Sequence, residues 1–154
     1  KWEEEVPAAS ADERRERMYE QIGYSLTLLF LGILALYDIR WKTIPTIWIV
    51  VFGIAAVVYF AAGNGVDKAM ICVLPGMALL FLAFLTGEQI GFGDGMVALV
   101  IGFFLGGGLC TIMVSIGIMM TGIFSLYRLM RGDKEPVPLI PFFLAAMEVI
   151  LIYV

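Results

Sequence analysis

The chain has no histidine and only two cysteines, Cys72 and Cys110, among its 154 residues. The absence of imidazole excludes the histidine-based nucleophile pairs and removes the commonest general base and metal ligand. The two cysteines form no CxxC pair and have no histidine to join them, so a structural zinc site fails on ligand count. They are expected as buried small apolar residues. Charge is also scarce: Asp, Glu, Lys and Arg make up 16% of the chain, against 61% hydrophobic residues. The formal net charge of −4 arises largely in residues 1–21, where Glu3, Glu4, Glu5, Asp12, Glu13, Glu16 and Glu20 outnumber Lys1, Arg14, Arg15 and Arg17. No basic stripe points to nucleic acid. No cleavable signal sequence is expected at the start, because the first apolar run begins only near Ile22 after an acidic approach.

What the chain does have is long uncharged runs separated by short polar hinges. A soluble domain is about 45–50% apolar, and a membrane-spanning helix needs about 20 apolar residues. The pattern predicts an all-α membrane protein, a bundle of about six transmembrane helices over 22–154, preceded by a charged, helical tail over 1–21. Ser10 or Asp12 could cap that tail. The expected helices are 22–39, 44–62 with Pro45 in its first turn, 69–85 with a kink at Pro75, 96–105, 109–130 and 137–153. Gly106-Gly107-Gly108 is read as the break between the fourth and fifth, with one long tilted helix as the alternative. Gly102 and Gly106 form a GxxxG, expected to serve close packing inside the bundle. Homo-oligomerisation is left open.

Two aspartates then stand out. Asp38 closes the first apolar run and opens the basic stretch Arg40-Trp41-Lys42, and Asp94 lies in Gly91-Phe92-Gly93-Asp94-Gly95. Two spans separate them, so helix parity puts both at one membrane edge. A carboxylate pair can share one proton and activate water without a metal or a histidine, and no cofactor is expected. The competing structural readings are a helix-end charge paired with Arg40 or Lys42 for Asp38, and a helix N-cap for Asp94. Gly91, Gly93 and Gly95 remove bulk around the second carboxylate, where an extended peptide could approach. Glu88 is a candidate for binding a basic segment. Glu148, well inside the last helix, is expected to face the bundle, because an acid at membrane depth costs roughly 2.5–3.5 kcal/mol.

Loop charges suggest which face this is. Arg40, Lys42, Arg128, Arg131 and Lys134 flank the edge that carries the aspartates, and Lys68 alone lies in the opposite loops. The positive-inside rule makes that edge cytoplasmic, although the four bases of the tail cancel the asymmetry if they are counted.

The motifs resemble those of a known family. Tyr37-Asp38-Ile39-Arg40-Trp41-Lys42-Thr43-Ile44-Pro45 looks like the first catalytic motif of prepilin peptidases, and Gly91-Phe92-Gly93-Asp94 looks like their GxGD motif. Lys134 with Pro138-Leu139-Ile140-Pro141-Phe142-Phe143-Leu144-Ala145 is similar to the family's third segment. Order, spacing and span count agree over 27–152. The resemblance implies a six-helix aspartic peptidase of the inner or plasma membrane. Asp38 and Asp94 would be catalytic, with Gly91, Gly93, Gly95, Glu88 and Lys134 toward the substrate. Its partners would be type IV pilin-like precursors, cut behind a basic leader at the cytoplasmic face, and membrane lipid. The chain departs from the family pattern at Thr46, where asparagine is common, and at Met96, where lysine is. The four-cysteine zinc domain of the bifunctional members is absent from this sequence, which points to a short, peptidase-only form. A non-enzymatic scaffold or transporter subunit explains the spans but not the three ordered motifs. A presenilin-type protease shares Tyr-Asp, Gly-x-Gly-Asp and a proline-leucine motif but needs more spans.

Overall fold

The computed structural model describes residues 11–41, 44–63, 69–85, 91–132 and 137–153. These form six helices: α1 (Ala11–Trp41), α2 (Thr46–Gly63), α3 (Ala69–Leu85), α4 (Phe92–Leu105), α5 (Gly107–Met130) and α6 (Ile140–Tyr153). The protein is an all-α membrane protein. Three helices are long and apolar enough to cross a bilayer: Glu13–Trp41, Thr46–Gly63 and Gly107–Met130. The other apolar helices are shorter. A 14-residue helix such as α4 rises only ~21 Å, against a hydrocarbon core of about 30 Å.

Local chemistry sets the boundaries. The charged segment from Ala11 and the apolar run that follows share one uninterrupted 31-residue helix, rich in good helix formers. Pro45 stands just before α2 rather than inside its first turn, and its carbonyl accepts the Trp48 N–H at 3.1 Å. The helix expected from residue 96 starts four residues earlier, with Gly91 as its N-cap. Between α4 and α5 the chain turns on Gly106 alone. Its φ of +79° lies in the left-handed region that side chains disfavour, which rules out one continuous helix. The last helix begins at Ile140, three residues later than hydropathy suggests.

α4 occupies the middle of the bundle, touching α1, α2, α3 and α5, while α6 packs on α1 and α5. Phe30, Leu31 and Leu34 of α1 meet Val97, Ala98 and Ile101 of α4 and Ile140, Phe143 and Met147 of α6 in one core. The broadest contact is α3 on α4. There Gly102 approaches so closely that a Cβ would collide with the Cys72 carbonyl oxygen, and one at Gly76 would stand 2.6 Å from the Leu99 backbone nitrogen. The GxxxG is therefore used inside the bundle, through Gly102; Gly106 meets nothing and serves as the break. The outside of the bundle is apolar, with Leu29, Leu36, Ile54, Ile71, Phe84 and Met119 exposed, a surface suited to lipid.

Candidate active site

Four segments meet at one end of the bundle: the last turn of α1, Ile44 and Pro45 before α2, and the first turns of α4 and α6. Asp38 arrives on α1 and is one of two buried polar or charged residues among those described. Its Oδ2 accepts the backbone N–H of Ile140 at 3.3 Å, across 102 residues of sequence. Asp94 arrives on the first turn of α4, where an acid is favoured by the helix dipole. The two carboxylates lie close enough for their charges to interact. At the opposite end, Tyr59 donates its hydroxyl to the Tyr19 carbonyl at 2.6 Å, joining α2 to α1. Helix parity alone anticipated that the two aspartates would share one end.

The structural readings weighed against catalysis fare differently. Asp94 is not the N-cap of α4 but stands three residues past it: Gly91 is the N-cap, the Asp94 N–H donates to the Gly91 carbonyl at 3.0 Å, and the Asp94 carboxylate reaches back to accept the Gly91 backbone N–H. The Asp94 carboxylate bends back over Gly91, where an added Cβ would sit 3.1 Å from Oδ2. For Asp38, the hydrogen bond goes to α6, while Arg40 is exposed, its guanidinium 5.2 Å from the Trp41 ring centroid. Lys42, Glu88 and Lys134 lie outside the described residues.

The three glycines beside Asp94 occupy different settings. Gly91 is exposed. A Cβ at Gly93 would meet Ile44 Cδ1 at 2.8 Å, the movable tip of a side chain. Gly95 is buried, and its missing side chain makes room for Leu80 of α3 instead of open space. Gly95 therefore allows α4 to pack closely on α3. Glu148 is a correction: it is exposed on the outer face of α6, not turned into the bundle. Hydropathy could not orient it, because α6 is apolar on its lipid side as well as its core side. Cys72 and Cys110 are buried free thiols, with Cys110 Sγ 3.4 Å from the Ala98 carbonyl oxygen.

Sequence reasoning missed the Ile140 N–H. A backbone donor has no side-chain signature. Its only trace in sequence is the pair Pro138 and Pro141, which marks where a helix starts.

Such an arrangement brings two carboxylates to one end of the bundle, with glycine backbone exposed beside them at Gly91. Comparison with known proteins gives a matching result. No curated protein and no solved structure matches the chain. The sequence profile of the type IV leader peptidase family matches residues 25–126, more than half of the chain, and both Asp38 and Asp94 fall inside that range. The protein is thus a membrane peptidase, and the chain belongs to the type IV leader peptidase family.

Proposed function

We propose that the chain is an aspartic endopeptidase that removes the basic leader from type IV pilin-like precursors at the cytoplasmic face of the membrane. The observation that carries this reading is the meeting of Asp38 and Asp94 at one end of the bundle, within the family-matched segment. Hydrolysis then needs only water and the pair. One carboxylate takes a proton from water as its oxygen attacks the scissile carbonyl, and the other protonates the carbonyl oxygen. Gly91, exposed at the start of α4, leaves main chain accessible beside Asp94 for an extended substrate. Arg40, Arg128 and Arg131 at the same end support the cytoplasmic orientation.

The deciding experiment is cleavage of a pilin-like precursor by the purified protein in detergent, with Asp38→Asn and Asp94→Asn beside the wild type. Each variant is expected to lose at least ~100-fold in rate, the scale of acid–base catalysis, with an unchanged helical circular dichroism spectrum. Full cleavage by either variant would sink the dyad. An intact precursor with wild-type protein would favour the scaffold reading.

A further inference from the structure

Both carboxylates accept a backbone N–H, but only one of the two bonds joins helices. Asp38 on α1 accepts from Ile140 at the start of α6. Asp94 accepts from Gly91, the N-cap of its own helix. That bond fixes the carboxylate on α4 and leaves open how α4 is turned toward α1. A helix rotates about its axis unless its surface is keyed to its neighbours. Rotating α4 by about 20° would move a carboxylate carried ~5 Å from the axis by roughly 2 Å.

The key lies in the two glycines that flank Asp94. Gly93 and Gly95 are two residues apart and so point ~200° apart around α4. Each leaves a notch in the helix surface, and each notch holds a branched side chain from another segment. Ile44, just before α2, lies over Gly93, with Cδ1, Cβ and Cγ1 at 2.8, 3.6 and 3.7 Å from the place of a Cβ. Leu80 of α3 occupies the notch at Gly95, with Cγ and Cδ2 at 2.8 Å and its backbone nitrogen at 3.0 Å. Both side chains have separate supports. Pro45, next to Ile44, accepts the Trp48 N–H, and the Trp48 ring leads through Phe52 to Phe30 of α1, at centroid separations of 6.3 and 4.8 Å. Leu80 belongs to the helix whose backbone closes on α4 at Gly76 and Gly102.

We propose that Ile44 and Leu80 are positioning residues that grip the first turn of α4 from opposite faces, and that this grip sets the rotation that turns Asp94 toward Asp38. The inference rests on the dyad reading above. It gives Gly93 and Gly95 a mechanical part in the site, because the missing side chains are what let Ile44 and Leu80 seat.

The aim of position 94 can be read without turnover. In the full chain carrying Cys72→Ala and Cys110→Ala, Asp38→Cys and Asp94→Cys place one thiol at each position. A diazene oxidant joins them, taking up the two thiol protons and two electrons as the S–S bond forms. In detergent this parent is expected to form the disulfide, detected by mass spectrometry after digestion. Adding Ile44→Ala or Leu80→Ala is expected to slow its formation at least ~10-fold, because the two groups lose their mutual orientation. Ile44→Leu and Leu80→Met keep the bulk and are expected to keep the rate. Where an alanine variant does not fold, Ile44→Val, which removes only Cδ1, or Leu80→Val reads the same contact. No disulfide in the parent, or one that forms as fast without either side chain, overturns the proposal.

In precursor cleavage by the otherwise unaltered chain, each alanine variant is expected to lower kcat at least ~10-fold with KM within about 2-fold, since a group misplaced by ~1 Å loses that much or more. The double variant should lose little more than either single one, because a grip fails once one side opens. A raised KM at unchanged kcat would make these residues part of the substrate surface, and additive losses would make them independent packing contacts. Either result overturns the proposal. Retained cleavage by Asp38→Asn or Asp94→Asn would instead remove the dyad while leaving the disulfide readout intact, so the two failures are distinguishable.

Discussion

The two aspartates are held by opposite kinds of packing. Asp94 rides on α4, whose contact with α3 depends on missing side chains: at Gly76 and Gly102 the backbones come together where no Cβ fits. Asp38 rides on α1, whose contact with α6 is filled space: Phe30, Leu31 and Leu34 of α1 and Ile140, Phe143 and Met147 of α6 are fully buried in a common core. In lipid there is no hydrophobic drive between helices, so close backbone approach and dense side-chain packing are the two available ways to fix a helix. The site has one aspartate on each.

The contrast predicts a graded series of stability effects, measured as thermal unfolding in detergent. Phe143→Ala should be the most damaging. It empties a fully buried position that faces Gly117 of α5, with an expected cost of about 3–5 kcal/mol. Gly102→Ala adds one methyl where the Cys72 carbonyl stands, and should cost about 1–3 kcal/mol by forcing α3 and α4 apart. Precursor cleavage should fall with it, because α4 carries Asp94. Gly32→Ala is the control: its added Cβ meets nothing within 4 Å, so it should stabilise α1 by about 0.5–1 kcal/mol through helix propensity. If Gly102→Ala and Gly32→Ala behaved alike, the glycine-packed account of α4 would be wrong.

Much of this architecture is legible in the sequence, for a physical reason. Long apolar runs leave the chain few options in a bilayer, and the parity of the spans brought Asp38 and Asp94 to one end. Legibility fails where the signal is carried by backbone or by lipid. The glycines around Asp94 read as a turn, yet they open a helix, because an acid three residues past the N-cap complements the helix dipole. Nothing in the sequence signals that Gly95 stands against Leu80 of α3. Glu148 could be located in depth but not in azimuth, since lipid accepts the same residues as the core. The Ile140 donor is a main-chain group, visible only when the fold joins residues 38 and 140.

The unbroken length of α1 has a mechanical consequence. Gly23 lies so close to α4 that a Cβ there would stand 2.6 Å from the Phe104 carbonyl oxygen, and Tyr59 is hydrogen bonded to Tyr19 one turn earlier. These contacts make a fulcrum at the far end of the rod. From Gly23 to Asp38 the rise is ~22 Å, so a tilt of about 5° would swing the Asp38 carboxylate by roughly 2 Å, enough to break its hydrogen bond to Ile140. Helix tilt answers to bilayer thickness as well as to packing. Were α1 to tilt with acyl-chain length, the displacement would be carried along one helix from the membrane to a single carboxylate.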